Sequence, residues 1–403
     1  MQFFSIVLVI LIIISVIPAL CLAVLSFIGF SISNNVKKHL RIVLYVLLVI
    51  LPISIIICSI MALVYIRDEN YIIAYSYLAV PLVNALLLWF IFSIGFEKNP
   101  HSFDSLDKAL KTPLKVHELS LCDSAVLPKE IGRLINLQTL RLNCNKFTTL
   151  PKEIGELKNL RRLELNHNKL TTLPKEIGKL INLQELQLDC NQLATLPKEI
   201  GKLANLQELK LATNKLVILP KEIGGLTSLQ KLELDYNQLT ALPKEIGTLT
   251  SLRELTLRKN QLTILPREIG ELQNLEYLYL SENEFSMLPE EMGVLKNLKD
   301  LYINDNQLIS LPKEIGKLKN LKSLYLCKNK LMVLPKEISE LENLQILYLS
   351  KNQFTVFPKE IVGLKNLKTL CLEDNQLTIS PKEIRELINV EHLYLVGNKI
   401  LYV

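Results

Sequence analysis

Twelve asparagines stand at one unvarying interval of 23 residues: Asn145, Asn168, Asn191, Asn214, Asn237, Asn260, Asn283, Asn306, Asn329, Asn352, Asn375 and Asn398. A carboxamide carries one acceptor and two donors, so this residue type, repeated at a turn, can satisfy buried backbone groups at level after level. The chemistry expected of the set is structural hydrogen bonding, an asparagine ladder. A second set is aromatic: Tyr279, Tyr302, Tyr325 and Tyr348 keep the same interval, Tyr394 follows two intervals later, and Tyr277 stands beside Tyr279. Tyrosine offers wide contact area with a polar tip and is enriched at binding hot spots, so the row reads as a protein-binding stripe. The competing reading is that tyrosine suits exposed strands and stacks on itself.

Groups for bond-making chemistry are scarce. The chain has no phosphate-cradling glycine loop, no H-E-x-x-H, no C-x-x-C and no G-x-S-x-G. His117, His167 and His392 fall in different repeats and read as turn or surface residues. No nucleophile–base set is visible, so an enzyme is not expected, and neither a cofactor nor a metal site is predicted.

The elements that position the two periodic sets follow from a third. Twelve prolines recur at the same 23-residue interval from Pro128 to Pro381, and the unit aligned on them reads NLxxLxLxxNxLTxLPKEIGxL, as in Asn182 to Leu203. Leu186 and Leu188, two apart in a strand, point to one side while Gln187 points to the other. One strand per unit predicts a parallel sheet, and the LPKEIG segment predicts a short helical or 3₁₀ turn on the convex side, where proline's missing N–H costs little. The unit resembles the bacterial leucine-rich repeat, whose signature L-x-x-L-x-L-x-x-N-x-L it matches over about residues 114–403. That resemblance implies an α/β solenoid of about 12–13 repeats with a concave sheet, and a role in binding protein. Because one repeat cannot bury its own leucines, stability is expected to be a sum over stacked neighbours.

Upstream of Pro128 the pattern degrades. Leu119-Ser120-Leu121 followed by Cys122, Asp123 and Ser124 reads as a first repeat about two residues short, and residues 97–113 read as a linker with an amphipathic capping helix over Ser102–Lys111, its apolar side formed by Phe103, Leu106 and Leu110.

Residues 1–96 follow a different rule. Apolar stretches at about 3–32, 42–66 and 71–96 each exceed the ~20 residues that cross a bilayer, so three transmembrane helices are predicted. The first lacks a basic residue ahead of it and is too long for a cleaved signal. Lys37, Lys38 and Arg41 in the first loop, against Arg67 beside Asp68 and Glu69 in the second, predict an inside first loop and cytoplasmic repeats. Net charge is +6, and alternating Lys and Glu without a basic patch argue against nucleic acid. Seven cysteines without paired cysteine caps suit a reducing compartment.

The residue between the two strand leucines changes character along the array. It runs Arg141, Glu164, Gln187, Lys210, Glu233 and Thr256, then Tyr279, Tyr302, Tyr325, Tyr348, Cys371 and Tyr394. The resulting expectation is a multi-pass protein of a bacterial inner membrane, in contact with the bilayer and with a protein partner. It would serve as a scaffold or receptor-like adaptor through the concave face of its repeats. The alternative is the same array turned outward as an adhesin or sensor.

Overall fold

The structure, a computed structural model, describes residues 101–401. The apolar stretches at 3–32, 42–66 and 71–96, and the basic first loop, lie outside the described residues. Among the described residues no helix is long and apolar enough to cross a membrane.

Each repeat contributes a strand of three residues, such as Glu185–Gln187, whose central leucine is buried while its neighbours face outward. Among the described residues fourteen strands pair in parallel into one sheet in chain order, from β1 (Ser102–Phe103) and β2 (Glu118–Ser120) to β13 (Thr369–Cys371) and its neighbour at His392–Tyr394. Register is held at one repeat per step, Leu186 opposite Leu209 and Tyr302 opposite Tyr325. A slip by one residue would turn every leucine outward, so the leucine columns fix the register.

After the strand the chain must reverse. The residue before each ladder asparagine adopts a left-handed backbone, at Cys144, His167, Cys190, Thr213, Tyr236 and their equivalents to Asp374 (φ 52° to 57°), and at Gly397. Asp123 has the same conformation (φ 56°), which places the short upstream segment in phase with the array despite its missing residues. The convex side is 3₁₀ helix, as at Lys175–Lys179, preceded by Pro174 with φ −67°. Bonds from Ile177 N–H to the Pro174 carbonyl (3.0 Å) and from Leu180 N–H to that of Ile177 (3.1 Å) close it. Gly178 lets consecutive turns approach, since a methyl group there would collide with the Glu199 carbonyl oxygen.

The core is one continuous column of leucine and isoleucine. Phe147, Phe285 and Phe354 replace leucine at one position of the unit and are fully buried. At the upstream end α1 (Leu106–Lys111) buries Ala109 and packs Leu106 and Leu110 against the first repeat. The amphipathic pattern suggests a helix already from Ser102, whereas the structure gives Ser102 and Phe103 to the sheet as a strand paired with Glu118 and Leu119. Backbone pairing along an open sheet edge outweighs one extra helical turn. In the last repeat Ser380 replaces the usual leucine before proline, and α2 (Pro381–Arg385) forms under a capping box with Glu383.

Candidate functional site

The asparagines hold the frame of the site. Asn237 donates to the carbonyls of Leu211 (2.9 Å) and Leu234 (3.1 Å) and accepts from the Leu216 N–H (3.0 Å), joining its own turn to the preceding one. The same pattern runs from Asn145 to Asn375, all buried, and Asn398 repeats it at the carbonyls of Leu372 and Leu395. A second asparagine row, which the sequence reading did not single out, begins at Asn136, Asn159 and Asn182. Each donates to a carbonyl of the preceding repeat: Leu114 (2.9 Å), Ile135 (2.9 Å) and Lys158 (2.8 Å). Its signal was the N of the NL that opens most units, with Ser228 and Ser251 in its place in two.

On this frame the concave face divides in two. From Glu118 to Glu254 basic and acidic side chains interleave and pair with one another, though Glu185 and Glu208 stand side by side. Arg141 bridges Glu118 (3.1 Å) and Glu164 (3.4 Å), Arg162 meets Glu185 (2.6 Å), and Lys231 meets Glu233 (2.8 Å) and Glu254 (3.1 Å). Burial opposes the charge of Lys231, but hydrogen bonds to Glu233 and Glu254 outweigh it and raise the ammonium above its usual range. Asp189 lies beside this lattice; burial pushes its carboxyl up to about 6, partly offset by the hydrogen bond it accepts from the Ala212 N–H (2.8 Å).

From Tyr279 onward the row is a stack. Consecutive ring centroids of Tyr279, Tyr302, Tyr325 and Tyr348 are 4.7, 4.3 and 5.1 Å apart, with interplanar angles of 18°, 7° and 14°. The Arg258 guanidinium lies 4.1 Å from the Tyr279 centroid and closes the upstream end as a cation–π contact. Strand spacing of ~4.8 Å sets this pitch, which parallel offset rings fill. The rings are therefore half-buried and turn their faces to one another. That differs from rings lying individually on open surface: what a partner meets is a ribbon of ring edges and hydroxyls. Burial, and then the neighbouring Tyr302, push the Tyr325 phenol up to about 12; burial also raises Tyr279 and Tyr348. The ribbon is thus uncharged and keeps its hydroxyl donors.

The remaining candidates fall around this stack. Tyr277 occupies the adjacent row, its ring 5.9 Å from the Lys299 ammonium. Tyr394 is separated from Tyr348 by buried Cys371 and is 44% exposed. Cys122, Cys144, Cys190, Cys327 and Cys371 are all free thiols. His117 packs on His101 (4.6 Å between centroids), His167 sits in the left-handed turn and His392 on the last strand, so no common site gathers them. Among the described residues no cluster of His, Cys, Asp and Glu is placed to hold a metal. A separate trough of about 610 Å³ runs along the flank of the early repeats between Asn136, Gln138, Arg161 and Gln207. The asparagine amides that line it are already engaged with backbone carbonyls, which leaves the tyrosine ribbon as the stronger candidate.

A family model described as a leucine-rich repeat region matches residues 97–192, 175–260, 244–329 and 311–400. Among solved structures, a leucine-rich repeat protein of Leptospira interrogans is 41% identical over 74% of this chain and 95% of its own, with a TM-score of 0.60. The TDR receptor is 33% identical over 71% of this chain and 51% of its own, with a TM-score of 0.61. The PEPR1-AtPEP1 structure gives 30% identity, 74% and 44% coverage and a TM-score of 0.62. This chain therefore spans about half the length of those last two. No curated protein matches the chain.

Proposed function

The chain belongs to the leucine-rich repeat family, and from that premise we propose that it is a membrane-anchored scaffold or receptor-like adaptor that binds a protein through the tyrosine half of its concave sheet. The fold is one typical of protein-binding scaffolds and receptors, the TDR receptor among its neighbours. The observation that carries the reading is the Tyr279–Tyr348 stack, a rigid uncharged ribbon of aromatic edges and hydroxyls on an otherwise charge-paired face. Rigid aromatics lose little side-chain entropy on docking, and their hydroxyls lend direction to the contact.

Anchoring rests on the apolar stretches at about 3–32, 42–66 and 71–96, and orientation on Lys37, Lys38 and Arg41. We place the repeats on the cytoplasmic side. A photo-crosslinking residue at Tyr325 of the full chain in cells is expected to trap one discrete protein, and the same residue at Glu164 is not. A trap at Glu164 alone would move recognition to the charged half. An alkaline phosphatase fused after Val403 is expected to be inactive and a fluorescent protein bright; the reverse would favour an outward-facing adhesin or sensor.

A further inference from the structure

The segment between each ladder asparagine and the following proline forms one flank of the solenoid. Its turns run side by side, joined by bonds from the N–H of Glu284, Gln307, Lys330 and Gln353 to the carbonyls of Leu262, Phe285, Leu308 and Leu331 (each 2.9 Å). Phe285, Leu308, Leu331 and Phe354 point inward and are fully buried, so the residues between them face out. In the early repeats, Val126 of the first apart, those outward residues are small or polar: Thr148 and Thr149, Thr171 and Thr172, Ala194 and Thr195. In the later ones Ile264, Met287, Ile309, Met332, Val333 and Val356, every one more than half exposed, stand among Thr263, Ser286, Ser310 and Thr355. Val217 and Ile218 are also exposed but are cut off from this band by Thr240 and Ala241.

We propose that this band is a contact between two copies of the chain, related by a two-fold axis that runs along the segment containing Gln307 and Ile309. Such an axis sets each repeat on one side of Gln307 against the repeat equally far on the other side in the second copy. The outward polar position one step ahead of the band reads Gln261, Glu284, Gln307, Lys330, Gln353 along consecutive repeats. That order is self-complementary: Glu284 meets Lys330 of the second copy, Lys330 meets Glu284, and the glutamines meet glutamines. Five of the six apolar residues pair in the same way, Met287 with Val333, Ile264 with Val356, and Ile309 with itself, while Met332 lies over Ser286 and its neighbour Met287. Six such residues amount to roughly 600 Å² on each copy, so two copies reach about 1,200 Å², the lower bound of a stable interface. A bilayer surface gives no reason for the exposed Glu284 within the band, and an unrelated partner gives none for a charge order that reverses about its centre.

The test uses the full chain purified in detergent, its association followed by sedimentation and its fold by circular dichroism. Glu284→Lys and Lys330→Glu are each expected to raise the dimer Kd at least tenfold by setting like charges together, and the double variant to restore it. Ile309→Cys, which lies on the axis, is expected to form a covalent dimer on oxidation well above the parent and above Ile218→Cys. Single reversals that leave association unchanged, a double variant that fails to recover, or Ile309→Cys no more cross-linked than Ile218→Cys would each overturn the pairing and assign the band to lipid or to another protein.

Discussion

The two halves of the concave face share one backbone and differ in what their side chains have left to offer. From Glu118 to Glu254 each base lies against a carboxylate of its own or an adjacent strand, as Arg162 does with Glu185. A partner docking there must strip water from pairs already satisfied, which returns little net affinity. From Tyr279 to Tyr348 the rings satisfy one another through their faces and turn their edges outward. The difference teaches that a repeat scaffold separates stability from recognition: the buried asparagines and leucines repeat throughout, and only the outward row is free to change.

The largest effect should be indifferent to the two halves. Asn237→Ala leaves the Leu216 N–H without a partner and takes one of two asparagine donors from each of the Leu211 and Leu234 carbonyls, which keep Asn214 and Asn260, so a loss of roughly 2–3 kcal/mol in urea unfolding is expected. Asn306→Ala, beneath the tyrosines, should cost a similar amount; a clear inequality would mean that the scaffold is not uniform. Next comes pH. Asp189 titrates at about 6 in the fold against ~4 when unfolded. Its folded pKa is the higher one, so its contribution is fully present below pH ~4 and is lost as pH rises through about 6. Asp189→Asn should recover on the order of 2 kcal/mol at pH 7.5 and flatten that part of the profile. The tyrosine half, with Tyr325 at about 12, should show no dependence in the same window. A smaller effect, about 1 kcal/mol, is expected on thermal stability for Tyr302→Ala, which loses a ring on each side, with almost none for Tyr394→Ala. Smallest of all, Arg162→Ala should cost ~0–1 kcal/mol and become silent in high salt, since both partners are partly exposed.

Much of this was legible in the sequence because a strict interval makes each residue's place a matter of counting. The parallel sheet, the short helical turns at each proline and the inward asparagines all follow from the 23-residue period. What escaped had no signature in residue type. The left-handed position is occupied by Cys144, Thr213, Tyr236 and Lys259 as readily as by Gly397, because the ladder hydrogen bonds on either side hold the turn whatever side chain it carries. The stack was one of two readings open in the sequence, because spacing gives the pitch of the tyrosines and not the orientation of their rings. The apolar flank escaped because Ile309 and Met332 are separated in sequence by residues of the core.

The central claim, that recognition belongs to the tyrosine half, is tested most directly by the affinity of the full chain for the protein trapped at Tyr325. Tyr302→Ala and Tyr325→Ala are each expected to weaken it by more than 1 kcal/mol, that is by more than about fivefold, while Glu164→Gln and Lys210→Gln change mainly the association rate and its salt dependence. Tyrosine variants that keep their fold and bind as the parent does would contradict the claim and reduce the stack to sheet packing.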